Sequence, residues 1–136
     1  MKETILILED EPVVMALIRR ALSQGYAILE STTAEEAIER FGEHHGAVDL
    51  LIADVTLPVS SGIRVALELR GANPALRIIL TSSYPPEMWP DQDAAELSEI
   101  PSDSVATLLK PFLPATLQKM VAGLIGLPEC ASAASA

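Results

Sequence analysis

The chain has 136 residues, 49% of them hydrophobic, which suits one domain with one buried core and excludes a disordered chain. Its 9 Lys and Arg against 19 Asp and Glu leave a net charge of -10, so the basic face that nucleic-acid binding requires is missing. No apolar stretch approaches the ~20 residues needed to cross a bilayer. Met1-Lys2-Glu3-Thr4 does not read as a signal peptide, and a single cysteine, Cys130, cannot form an intrachain disulfide; both fit a cytoplasmic protein.

Ile5 to Leu8 is a continuous apolar run of strand length, as expected for a strand buried on both faces. Pro12 suits the first turn of a helix, along which Val14, Leu17, Ile18, Ala21 and Leu22 recur at helical spacing, and Gly25 is a natural stop. Tyr26 to Glu30 reads as a second strand, less apolar and so near an edge. Thr33 and Glu36 form a capping box for a second helix, with Ala37, Ile38 and Phe41 as its buried stripe. Leu50 to Ala53 is a third strand, and by composition the most central. A loop from Asp54 to Gly62 leads to a helix over Ile63–Arg70, stopped by Gly71 and Pro74. Arg77 to Leu80 is the fourth strand.

Residues 84–101 contain Pro85, Pro86, Pro90 and Pro101, and proline inside a helix costs ~3 kcal/mol or more. Only Asp91 to Ile100 has room for a helix, and a short one. The segment is expected to be mobile. Val105 to Leu109 is the fifth strand. Pro114 opens a last helix with Leu117, Val121, Leu124 and Ile125 on one face. Residues 1–126 are expected to form the domain and 127–136 a flexible tail.

Five strands alternating with helices predict an α/β fold with a parallel sheet covered on both faces. Acids follow strands one and three, which fits a flavodoxin-like, doubly wound sheet of order 2-1-3-4-5 with a shortened or irregular fourth helix. Glu9 and Asp10 then follow strand one, Asp54 strand three, Thr81 strand four and Lys110 strand five. In an open parallel sheet these C-terminal ends gather on the edge where ligands bind.

Glu9, Asp10 and Asp54 in one crevice would repel one another, and a hard divalent cation such as Mg2+ removes that conflict. A carboxylate can also attack phosphorus and become an acyl phosphate. Such a transfer needs charge neutralisation and positioning, which Lys110 and the Thr81 hydroxyl could supply.

Four segments carry a resemblance: Ile5-Leu6-Ile7-Leu8-Glu9-Asp10-Glu11-Pro12, Leu50 to Pro58, Ile78-Ile79-Leu80-Thr81-Ser82, and Lys110-Pro111-Phe112. In this order and spacing the chain resembles the receiver domains of two-component response regulators over residues 3–126. The resemblance implies Asp54 as phosphoacceptor and Asp10 as direct magnesium ligand. It also implies Glu9 as a ligand through water and the Thr56 carbonyl as a further ligand. Thr81 would be the switch hydroxyl and Lys110 the phosphate-binding lysine, with a cis bond to Pro111. The phosphoryl donor would be a phosphohistidine on a sensor histidine kinase or a histidine phosphotransfer protein.

Three features depart from the family pattern. Glu9 stands where aspartate is commoner. Thr107 replaces the aromatic residue that moves with the switch hydroxyl. Thr81 and Lys110 lie 29 positions apart, a longer interval than usual, which holds the prolines. The usual face for dimerisation would be poorly formed, so a monomer or weak dimer is expected.

Two other functions remain open: a small phosphatase using an aspartyl phosphate, and a degenerate receiver acting as a scaffold. The first would need a second acid two positions after Asp54, where Thr56 stands; the second is at odds with a complete set of site residues. Glu11 reads as a solvated residue at a helix start, and His44-His45 as surface. Trp89 and Met88 fit either a partner-binding anchor or, preferably, a plug for the space left by a short fourth helix. Thr107 reads as a silent core residue or a second hydroxyl switch.

Overall fold

A computed structural model describes residues 2–57 and 61–128. The elements are β1 (Thr4–Leu8), α1 (Pro12–Leu22), β2 (Ala27–Ser31), α2 (Ala34–Glu43), β3 (Leu50–Asp54) and α3 (Gly62–Ala72). They continue with β4 (Arg77–Ser82), a 3-10 turn (Pro86–Met88), α4 (Asp91–Leu97), β5 (Val105–Leu109) and α5 (Pro114–Ile125). The strands form one parallel sheet of order β2-β1-β3-β4-β5, the flavodoxin-like arrangement expected.

Strand alternation divides the core into two. Leu6, Leu8, Leu51, Ala53, Ile78 and Leu80 face Phe41 of α2 and Ile63, Ala66 and Leu69 of α3. Ile5, Ile7, Leu50, Ile52 and Ile79 face Met15, Ile18 and Leu22 of α1 and Leu117 and Val121 of α5. The central strands are therefore apolar through their middles, with polar residues only toward their ends, whereas the edge strand β2 is only partly buried along most of its length.

Local expectations shift at several points. Ile38, expected in the stripe of α2, is exposed, because Ala37 and Phe41 turn the helix toward the sheet. Met15 joins the buried face of α1. β2 begins at Ala27; Tyr26 instead turns inward, and its hydroxyl donates to the Gly126 carbonyl at 2.8 Å. α3 continues through Gly71 to Ala72. Beyond it the Asn73 side-chain amide donates to the carbonyls of Gly46 and Val48, tying the turn to the loop before β3.

The segment before β5 holds the 3-10 turn and a seven-residue α4, so the long fourth helix is missing, as its prolines require. Trp89 is 7% exposed and lies in the α2–α3 core, matching the plug reading, whereas Met88 is 66% exposed. Thr107 is exposed on β5 and is not a core residue. Of the tail expected to be flexible, Pro128 abuts Gly25; residues 129–136, Cys130 among them, lie outside the described residues.

The capping box at α2 is modified. Thr33 Oγ1 accepts from the Glu36 N–H, but the Glu36 carboxylate accepts from the N–H and hydroxyl of Thr32, one residue earlier than in the usual box. These bonds from Thr32 hold the Glu36 carboxyl below its ordinary value. A depressed carboxyl stabilises the fold above its unfolded pKa, and that contribution is lost as pH falls through the folded value. Glu36→Gln should lower the melting temperature at neutral pH, and the gap from the wild type should close on acidification. Thermal melts across pH check this.

Gly62 opens α3 directly against the strand that carries Asp54. A Cβ there would sit 2.2 Å from the Asp54 carbonyl oxygen, so the helix can approach only without one. Gly62→Ala should cost about 1–3 kcal/mol through forced displacement of this backbone, measurable by urea unfolding.

Candidate functional site

The alternation that splits the core also chooses which polar groups meet. Continued past the strand ends, it places Glu9, Asp54, Thr81 and Lys110 on the α1–α5 side of the sheet. Asp54 ends β3, and Thr81 is its register partner on β4. Lys110 follows β5, and its N–H donates to the Ser82 carbonyl at 2.8 Å. The Lys110–Pro111 peptide bond is cis.

Lys110 is the centre of this group. Its Nζ lies 2.9 Å from Asp54 Oδ2, 3.0 Å from Glu9 Oε1 and 3.5 Å from Glu11 Oε1. Asp54 Oδ1 accepts from the Thr56 N–H at 2.9 Å, which fixes the carboxylate plane. Glu9 Oε2 accepts from the Glu11 N–H at 3.1 Å. Both acids are thus held by the backbone two residues downstream and by the same ammonium.

Burial pushes the Glu9 carboxyl above its ordinary value, outweighing the pull of Lys110. Burial alone would lower the Lys110 ammonium; its bonds to Asp54 and Glu9 outweigh that and raise it. Lys110 is therefore a fixed positive charge at neutral pH.

Glu9 Oε1 and Thr81 Oγ1 are buried without a hydrogen-bond partner among the described residues. Glu9 Oε1 keeps its ion pair with Lys110, but off the hydrogen-bond direction. A buried hydroxyl left unsatisfied costs about 1–3 kcal/mol. Thr81 is fully buried one strand from Asp54, so it is positioned to donate to an acceptor arriving there.

The acidic set differs from the expected one. Oxygens of Glu9, Glu11 and Asp54 lie within 4.8 Å of one another. Glu11 is exposed at the N-cap of α1, as expected, and from there also brings an oxygen to 3.5 Å from Lys110 Nζ. Asp10 lies outside that group of oxygens; together with Glu9 it lines a cleft bounded by Arg19, Ser31, Thr32 and Glu36. Thr56, expected to offer its carbonyl, is exposed and bridges to Ser61. His44 and His45 are exposed at the end of α2, away from the edge.

This donor set fits a hard divalent cation. It is all oxygen, without histidine or cysteine, and one ammonium facing three carboxylates leaves two negative charges unbalanced.

Comparison with known proteins places this edge in a family. The profile of the response regulator receiver domain matches residues 5–122. The chain is 37% identical over 82 residues to the sensor kinase CckA of Brucella abortus, covering 60% of this chain and 9% of that protein. It is 33% identical over 115 residues to the transcriptional regulatory protein MalR of Bacillus subtilis, covering 79% of this chain and 44% of that one. The chain thus spans less than half the length of these relatives. Among solved structures, the response regulator TrrA of Thermotoga maritima in complex with Mg2+–BeF superposes with a TM-score of 0.71 at 29% identity, covering 90% of this chain and 99% of that one. With this match and its sheet order, the chain belongs to the response regulator receiver domain family.

Proposed function

We propose that Asp54 accepts a phosphoryl group from a phosphohistidine of a sensor histidine kinase or a histidine phosphotransfer protein. The observation that carries this is the Asp54 carboxylate fixed between the Lys110 ammonium at 2.9 Å and the Thr56 N–H at 2.9 Å, with an unsatisfied Thr81 hydroxyl on the next strand. An Asp54 oxygen attacks phosphorus, the phosphorus–nitrogen bond breaks, and the departing imidazole regains its nitrogen lone pair. Lys110 holds one phosphoryl oxygen by charge, and Thr81 donates to another. No general base is required, since a carboxylate nucleophile has no proton to remove.

Glu9 and Asp54, with Glu11 or Asp10, would hold a Mg2+ ion. When bound, it supplies charge neutralisation for the incoming phosphoryl oxygens. The chain acts as a signalling module, not as an enzyme with turnover. The phosphatase alternative lacks support because Thr56 stands where the protonating acid would be needed. No helix of the described residues is long and apolar enough to cross a membrane. Cytoplasmic location and a monomeric or weakly dimeric state complete this reading.

Incubation with acetyl phosphate and Mg2+ should add one hydroxylamine-labile phosphoryl group, seen by intact-mass spectrometry, and Asp54→Asn should lose it. Rapid turnover of a generic phosphate ester would instead favour the phosphatase.

Magnesium should raise the melting temperature by linkage. Two variants separate the ligand sets. Loss of the shift in Glu11→Gln, with Asp10→Asn retaining it, supports the set that already converges. The opposite pattern means that Asp10 rotates inward when the metal binds.

A further inference from the structure

Thr107 occupies the position from which an aromatic side chain would read the state of Thr81, and it is exposed. A different aromatic is linked to Thr81. β4 ends in Thr81-Ser82, and alternation sends Thr81 toward the carboxylates and Ser82 through to the other side of the sheet. There Ser82 Oγ accepts from the Tyr84 N–H at 3.1 Å, and the Tyr84 carbonyl accepts from the Trp89 indole N–H at 2.9 Å. Both ends of this path are buried: Thr81 is fully enclosed and Trp89 lies in the α2–α3 core.

The segment between them is poorly suited to absorbing a displacement. Pro85 and Pro86 restrict its backbone, and the N–H groups of Met88 and Trp89 close onto the carbonyls of Pro85 and Pro86. Trp89 directly precedes Pro90, the N-cap of α4, so a displacement of the Trp89 backbone passes straight to the start of that helix. Room exists for it. A cleft of about 300 Å3 lies beside Trp89, lined among others by Val55, Leu57, Ser82, Tyr84 and Met88. Tyr84 and Met88 are 58% and 66% exposed on the outer side of this turn.

We propose that Trp89 serves as the aromatic element of the switch, coupled to Thr81 through Ser82 and Tyr84. The inference rests on Asp54 being the phosphoacceptor. When an acceptor oxygen on Asp54 captures the Thr81 hydroxyl, the end of β4 shifts. The Ser82–Tyr84–Trp89 hydrogen bonds carry that shift to the turn. The indole moves into the cleft, α4 moves with it, and the exposed Tyr84 and Met88 change position. Thr81 and Ser82 act here as positioning residues, because the readout lies in a side chain that never touches the phosphoryl group.

Trp89 is the sole tryptophan of the chain, so intrinsic fluorescence reports this one indole. The full chain is titrated with Mg2+ and beryllofluoride, a mimic of the acyl phosphate, and the fluorine resonance of bound beryllofluoride reports occupancy of the site. Occupancy should bring a red shift of the emission maximum and stronger acrylamide quenching, both lost in Asp54→Asn. Thr81→Val, which keeps the side-chain shape and removes the hydroxyl, should bind the mimic without the shift; Thr81→Ser should restore it. Ser82→Ala should bind the mimic with a reduced shift. Bound beryllofluoride with unchanged emission, or a full shift in Thr81→Val, overturns the role of Trp89 and leaves the Asp54 assignment standing. Absence of bound beryllofluoride in the wild type overturns both.

Discussion

One ammonium, that of Lys110, sits among three carboxylates at the edge of the sheet, two of them buried. Lys110 is 10% exposed in its side chain, Glu9 1% and Asp54 6%, so this cluster is screened far less than the pair between Arg19 and Glu30. Breaking a buried pair by deleting one partner typically costs about 3–5 kcal/mol, because the remaining charge stays uncompensated. An exposed pair such as Arg19–Glu30 contributes about 0–1 kcal/mol. The geometry of β1, β3 and β5 at their C-terminal ends is therefore tied to this one cation.

The cluster in turn depends on strand parity. Glu9, Asp54, Thr81 and Lys110 come from four strands, yet each falls on the α1–α5 side because each sits an even number of residues from a core residue of that face. A register slip of one residue in any strand would send its polar group to the opposite side. The apolar runs Ile5–Leu8, Leu50–Ala53 and Ile78–Leu80 hold that register, since both faces are packed. The core and the site are two consequences of a single alternation.

The other side of the same edge is where this chain departs from the family pattern. The prolines after β4 shorten α4 to seven residues, α4 packs against α3, and Thr107 and Leu109 of β5 remain exposed. Trp89 fills part of the space that a longer helix would have covered. The 3-10 turn, the buried indole and the neighbouring cleft occupy this shortened stretch.

Much of this was legible in the residues themselves. Short β-branched runs, Pro12 and Pro114 at helix starts and the alternation of elements sufficed for a parallel sheet of order 2-1-3-4-5, because periodicity and chain punctuation act over short range. The positions of Asp54, Thr81 and Lys110 at strand ends followed from the same signals. Which side chains converge there was a tertiary matter. The oxygens of Glu9, Glu11 and Asp54 approach one another only once β1 and β3 are paired. Ile38 turned outward because packing of Ala37 and Phe41 fixed the rotation of α2. The path from Ser82 to Trp89 depends on hydrogen bonds whose geometry exists only once β4 and the turn after it are in place. Local periodicity determined the elements; the relative rotation of those elements decided which polar atoms meet.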